Sequence, residues 1–334
     1  MKIVLQRRER AKSMYNHCDS DAKKEIPDEI NQGLAAGGRE TSSHTNSFAP
    51  EESNLNAMTF TDAKQRFSSR VADYVRYRPG YPPALIDLLR EECGLRSEHA
   101  IADVGSGTGL LSELFLKNGN RVSGIEPNEE MRLAGEDFLS LFSNFSSVAG
   151  SAEATMLPAA SVDFVAAGNA FHWFDKIATR REFLRILKPN GWVVILRNDM
   201  RISETQFGRE YEELLVRFGT DYERVKDSLP EKQDMENFFG RGPSSPAVAG
   251  LQTSASNPSS FPRGDFRFRE LPNFQEFDFA GLAGRLRSSS YAPKEGHSNY
   301  APMMAELERI FRTHQANGRV RMEYVTQIYF GHLH

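Results

Sequence analysis

The residues best suited to chemistry in this 334-residue chain are glycines and one acid. Asp103-Val104-Gly105-Ser106-Gly107-Thr108-Gly109 places three alternate glycines between an apolar run and an amphipathic one. Glycine lets backbone turn sharply and approach a ligand without a Cβ in the way, and a helix starting behind the turn offers free N–H groups. A dinucleotide fingerprint wants its third glycine one place later, and that place is Leu110, so the turn suits a nucleotide with no pyrophosphate to cradle. Seventeen residues past Gly109 the next apolar run ends in Glu126-Pro127-Asn128, a carboxylate placed to accept hydrogen bonds from ribose hydroxyls.

A second constellation, Gly168-Asn169-Ala170-Phe171-His172-Trp173-Phe174-Asp175, follows the run Val162–Ala167. Ligands of open α/β sheets bind at such strand ends; aromatics there exclude water, and His172 can orient an acceptor or take its proton. Two further stretches, Tyr74 to Pro82 and Arg285 to Pro293, carry tyrosines and arginines, of which Arg78 or Arg287 can neutralise an acidic substrate by a bidentate pair. No carboxylate–histidine spacing resembles a metal set, and neither Cys18 nor Cys93 sits beside a partnered base, so metal and covalent catalysis are not expected.

The elements that must position these groups alternate between strands and helices. Ala100–Val104, Arg121–Ile125, Phe145–Val148, Val162–Ala167 and Trp192–Arg197 read as strands, the last after the turn Pro189-Asn190-Gly191. Between them, helices are expected at Leu110–Leu116, stopped by Asn118-Gly119, from Asn128 to about Leu141, and at Lys176–Leu187. This is the pattern of a mostly parallel sheet with helices on both faces. Beyond Arg197, Glu204–Phe218, Phe277–Arg287 and about Pro302–His314 read as helix, and Val320–Phe330 as a final strand. Residues 1–57 are polar and aperiodic and are read as a disordered tail, with Met58 a candidate start. The Ser-, Pro- and Gly-rich stretch 241–264 is read as a loop within an insertion spanning 198–265.

These motifs resemble the class I S-adenosylmethionine-dependent methyltransferases of small molecules, near the ubiquinone and menaquinone C-methyltransferases and the trans-aconitate-methyltransferase-like group. The resemblance covers about 60–239 and resumes near 266, and implies a Rossmann-like seven-stranded sheet with a helical and loop insertion after the fifth strand. It implies that Asp103, Gly105, Gly107 and Gly109 hold the methionine part of S-adenosyl-L-methionine and that Glu126, with Pro127, serves the ribose. The resemblance likewise implies that Met131 packs on adenine and that Asn169 faces the cofactor. Gly150-Ser151-Ala152-Glu153 matches the family's adenine turn, with Ser151 where an aspartate is usual. By the same resemblance Tyr77, Arg78 and Tyr81 form a lid, and Trp173, Arg287 and Tyr291 join them at the acceptor, with His172 the candidate base. A silent cofactor-binding module and a nucleotide-dependent oxidoreductase are the alternatives.

Lys and Arg total 41 against 45 Asp and Glu, a net charge of −4, so no basic field favours nucleic acid or anionic lipid as partner. A small-molecule substrate is expected instead. The short apolar start is followed by Gln6, Arg7 and Arg8, unlike an export signal, and no run reaches the ~18 apolar residues of a membrane span, so a cytoplasmic location is expected.

Overall fold

The computed structural model describes residues 71–201, 204–227, 232–240 and 266–333, all within the unit Asn56–His334. The stretch 1–57, Met58 and the segment 241–264 lie outside the described residues.

Two helices, α1 (Val71–Tyr77) and α2 (Ala84–Cys93), lead into a repeating strand–helix pattern: β1 (Ala100–Val104), α3 (Leu110–Lys117), β2 (Arg121–Ile125), α4 (Glu129–Phe138), β3 (Phe145–Val148) and β4 (Val162–Gly168). A single 3-10 turn, Phe171–Trp173, separates β4 from α5 (Lys176–Ile186) and β5 (Leu187–Met200). Then come α6 (Gln206–Phe218), α7 (Tyr222–Asp227), α8 (Lys232–Phe239), β6 (Phe266–Phe277), α9 (Phe279–Arg287), α10 (Tyr300–His314) and β7 (Val320–Gly331).

Side-chain chemistry fixes the helix ends. The Asn128 side chain accepts from the Met131 N–H at 3.0 Å, and Asp175 accepts from Ile177 and Ala178 at 3.0 and 2.9 Å, each satisfying donors the first turn leaves open. Helix α3 stops at Asn118, where Gly119 takes φ +96°, as its Asn-Gly pair predicts. Helix α4 ends at Phe138, short of Leu141, because Leu139 turns inward to full burial under the glycine turn.

The seven strands lie in the order β3-β2-β1-β4-β5-β7-β6, with β1 to β5 parallel and β7 antiparallel to both neighbours. Alternation sorts the core: Ala102, Val104, Val165 and Ala167 face α5 and α8, while Ile101, Phe164, Ala166 and Val194 face α2 and α3. A third cluster joins α6, α9 and α10 to the first half of β7. The sequence directions diverge on either side of β1 and β4, and this switch point opens the crevice described below. Pro189-Asn190-Gly191 is a bulge inside β5, not a turn before it: pairing with β4 jumps from Val162–Leu187 to Phe164–Trp192, with Asn190 at φ +62°.

Helix α1 is pinned to α9. Arg287 Nε donates to Asp73 at 2.9 Å, and the Tyr77 ring covers Gly284, where a Cβ would lie 2.0 Å from it. Gly284→Ala gains about 1 kcal/mol of helix propensity but forces the ring away at about 1–3 kcal/mol. A net loss of up to about 2 kcal/mol in denaturant unfolding is therefore expected; a gain in stability would show the two helices to be loosely joined.

Candidate active site

The crevice is built on the turn after β1. Gly105, Gly107 and Gly109 take φ +70°, +56° and +85°, a left-handed region that L side chains rarely adopt. The Gly105 and Ser106 N–H groups both donate to the Ile125 carbonyl, at 2.8 and 3.1 Å, tying the turn to the end of β2. Gly109 is not at the crevice: it begins α3, and a Cβ there would meet Leu139 at 2.6 Å. Its role is packing.

Glu126 closes this structure from the other side. One carboxylate oxygen accepts from the Gly107 N–H at 2.9 Å and the other from the Asn128 N–H at 2.8 Å, so both are aimed by backbone. Burial pushes its pKa up, and the two backbone donors counter that. Asp103 is also buried. Its Oδ2 accepts from the Ser112 hydroxyl at 2.7 Å, while its Oδ1 and the Thr108 hydroxyl are enclosed without hydrogen-bond partners. Burial pushes the Asp103 carboxyl up to about 7, with the charge of Glu126 adding a smaller push.

Two adjoining cavities share Tyr74, Gly105, Gly107, Gly168 and Asn169 as a common wall. The first, about 400 Å³ including its mouth, is lined by Asp103, Arg78, Tyr81, Ser106 and Thr108. The second, about 690 Å³ on the same measure, is lined by Glu126, Pro127, Asn128, Met131, Ala152, Trp173 and Phe174. One end is therefore lined by both a carboxylate and a guanidinium; the other offers a carboxylate, small residues and an apolar face. Asn169, at φ +54°, donates to the Tyr81 hydroxyl at 3.1 Å and accepts from the Asn198 N–H at 2.9 Å, linking the strap before α2 to the ends of β4 and β5. Burial raises the Tyr81 pKa, so its hydroxyl stays protonated.

Of the cofactor-side residues read from sequence, Asp103, Gly105, Gly107, Glu126, Pro127, Met131, Ala152 and Asn169 come together at these cavities. Ser151 and Glu153 do not line them. Ser151 exchanges backbone hydrogen bonds with Ala154, and the Glu153 carboxylate accepts from the Asp175 N–H at 3.0 Å, at the start of α5. Among the acceptor-side residues, Arg78 and Tyr81 line the first cavity and Trp173 the second. Tyr77 is spent on Gly284, Arg287 on Asp73, and Tyr291 packs edge-on against Tyr222 at 5.0 Å.

His172 faces a separate small cavity with Arg197, Met235 and Tyr329, which touches the others only through Asn169. Burial, then the positive charges of Lys176, Arg197 and Arg78, push its pKa down to about 3. It is a neutral ring at physiological pH and a weak base. Tyr74 and Phe174, which the sequence places in the stretch Tyr74 to Pro82 and in the aromatic constellation after Val162–Ala167, also line the cavities. Among the described residues no group of three or more His, Cys, Asp or Glu is placed to hold a metal, and no helix is long and apolar enough to cross a membrane.

Residues 102–195 match the family model described as a methyltransferase domain. An uncharacterized methyltransferase of Schizosaccharomyces pombe is 32% identical over 133 residues, covering 40% of this chain and 52% of its own length. An uncharacterized methyltransferase of Mycobacterium tuberculosis is 33% identical over 174 residues, covering 51% and 66%. The chain thus spans about half to two-thirds of the curated relatives it matches. Among solved structures, a protein described as a methyltransferase from an antibiotic biosynthesis pathway of Anabaena variabilis superposes with TM-score 0.50 at 17% identity. It covers 76% of this chain and 98% of that one, a likeness of fold.

Proposed function

We propose that this chain, whose residues 102–195 match a methyltransferase domain model and whose fold is like that of solved methyltransferases, transfers the methyl group of S-adenosyl-L-methionine to a small, already anionic acceptor, a carboxylate fitting best. The observation that carries the reading is the pair of chemically different ends on one crevice: Glu126 held by two backbone N–H groups at one, a cavity lined by Asp103 and Arg78 at the other. A nucleoside bearing an amino acid needs that combination. Dihydroxy recognition falls to Glu126, the α-ammonium to the unpartnered Oδ1 of Asp103, and the α-carboxylate to Arg78. The cofactor fits the residues present: the enclosed, unpartnered Asp103 Oδ1 and Thr108 Oγ1 lack hydrogen-bond partners that a polar ligand would supply.

When bound, the cofactor supplies a methyl on a positively charged sulfur with a good leaving group. The chain's own contribution is then alignment and exclusion of water, for which Tyr74, Trp173 and Phe174 form the walls. Met131 offers the adenine a polarizable face, and the nearly fully buried Ala152 leaves it room. A neutral His172 with its pKa near 3 favours an acceptor that arrives without a proton to lose. In His172→Gln, kcat is expected to stay within about threefold of the parent, since no proton transfer of the order of 10²–10⁴-fold is lost. A collapse of kcat with S-adenosylhomocysteine affinity intact would instead favour a phenol, amine or carbon acid.

The deciding experiment is calorimetry with S-adenosylhomocysteine and NAD side by side, followed by a screen of carboxylic acids, phenols and amines for S-adenosylhomocysteine release. Binding of the dinucleotide alone would remove the reading, and so would cofactor binding with no turnover on any acceptor class.

A further inference from the structure

The strap that carries Arg78 and Tyr81, residues 78–83 between α1 and α2, belongs to no helix or strand. Pro79 and Pro82 remove two of its backbone donors, so it meets the sheet chiefly with carbonyls. Three carboxamides take them. Gln275 Nε2 donates to the Tyr77 carbonyl at 3.2 Å, and Asn198 Nδ2 and Asn273 Nδ2 both donate to the Gly80 carbonyl, at 3.1 and 2.9 Å.

The sheet sets the direction of each amide. Asn198 on β5 stands opposite Thr326 on β7, and Asn273 and Gln275 on β6 stand opposite Tyr324 and Met322, which puts all three amides on one face. The buried Thr326 hydroxyl donates to Asn198 Oδ1 at 2.6 Å, the Phe274 N–H to Asn273 Oδ1 at 2.9 Å, and the Tyr324 hydroxyl to Gln275 Oε1 at 3.0 Å. With each oxygen engaged in this way, each NH2 is left for the strap.

None of the three lines the cavities described above, but what the strap carries does. Arg78 and Tyr81 line the cavity of Asp103 and not that of Glu126. Arg78 Nη2 donates to the Ser288 carbonyl at 2.9 Å while its enclosed Nε has no partner, so the place of the guanidinium follows the backbone that bears it. Asn198 acts at two points: its side chain holds Gly80, and its main-chain N–H holds the Asn169 amide that donates to the Tyr81 hydroxyl.

Resting on the methyltransferase reading, we propose that Asn273, with Asn198 and Gln275, is a positioning residue for the cofactor. The amide clamp sets where the strap holds Arg78 and Tyr81, and so governs affinity for the amino-acid half of S-adenosyl-L-methionine while the nucleoside half is left to Glu126. A strap without its clamp must be ordered at the expense of binding, and only a ligand that reaches Arg78 bears that cost.

The test is calorimetry with S-adenosylhomocysteine and with methylthioadenosine, which keeps the nucleoside and the sulfur and lacks the amino-acid group. Asn273→Ala is expected to weaken S-adenosylhomocysteine about five- to tenfold, the effect of losing two neutral hydrogen bonds, and to leave methylthioadenosine within about twofold. Asn273→Asp keeps the shape, offers the Gly80 carbonyl no donor and loses at least as much; Asn273→Gln keeps a donor and restores part of the affinity. Gln275→Ala gives the same selective loss and carries the test if Asn273→Ala does not fold. A purely structural role would weaken both ligands alike. Equal losses on the two ligands, parent-like S-adenosylhomocysteine binding in the alanine variants, or parent-like binding in Asn273→Asp overturns the proposal alone. A parent that binds neither ligand removes the methyltransferase reading and the clamp's role with it.

Discussion

Glu126→Ala is expected to raise the dissociation constant for S-adenosylhomocysteine by about 100-fold. The carboxylate is clamped by the Gly107 and Asn128 N–H groups, so its free lone pairs are already aimed when the ligand arrives. Hydrogen bonds to a charged group are worth about 1.5–3 kcal/mol each, and losing two ribose contacts at the lower end gives about 3 kcal/mol, or about two decades in affinity. The alanine also leaves the Gly107 N–H without its acceptor, which loosens the turn that shapes the other cavity. Glu126→Gln keeps one acceptor oxygen and is expected to lose only about tenfold. Calorimetry on the two variants checks both figures, and equal affinities in parent and alanine variant would contradict the ribose assignment.

The second large effect is a pH dependence with opposite signs for folding and for binding. Buried Asp103 titrates near 7 in the folded chain against an ordinary 3.8. Between those values the native state holds a proton that the unfolded chain has released. The contribution of this group to stability is therefore complete below about pH 4 and is lost as pH rises through about 7, on the order of 4 kcal/mol over the whole window. On the proposed binding mode cofactor binding runs the other way, because there the α-ammonium pairs with the ionised carboxylate. Affinity for S-adenosylhomocysteine should fall about tenfold per pH unit below 7, so that binding at pH 5.5 is about 30-fold weaker than at pH 8. Asp103→Asn should flatten both profiles. Because the raised Glu126 contributes in the same direction, the difference between parent and Asp103→Asn is the quantity to read. A parent binding profile as flat as that of the variant would remove Asp103 from the ammonium site.

What the sequence makes legible is what depends on local pattern. An apolar pentad, alternate glycines and an acid at the next strand end bring Asp103, Gly105, Gly107 and Glu126 together whatever the rest of the chain does. Strand β6 is harder to see. Its residues alternate only weakly, with Arg267, Arg269, Glu270 and Pro272 among the aromatics, because one edge of the strand has no strand partner among the described residues. The arginines show the limit most clearly. Arg285 and Arg287 are two residues apart on one helix, about 200° around its axis, so one must face inward if the other faces out. Which one does is decided by Tyr211 and Tyr324, contributed by α6 and β7 from distant parts of the chain. Local reading favoured Arg287. Glu153 was likewise misjudged as a site residue because nothing near it in sequence announces the Asp175 N–H that takes it.

Strand β6 also bears on how the molecule avoids its own kind. A terminal ribbon twelve residues long is a template on which a foreign strand can grow. Here Pro272 interrupts the row of donors, and Arg321 lies 3.8 Å over the half-exposed ring of Phe274. Farther along, Arg267 and Arg269 converge on Glu92. Among the described residues the sheet thus ends at a seventh strand that is broken and charged, a safeguard against aggregation built from side chains that line none of the cavities described above.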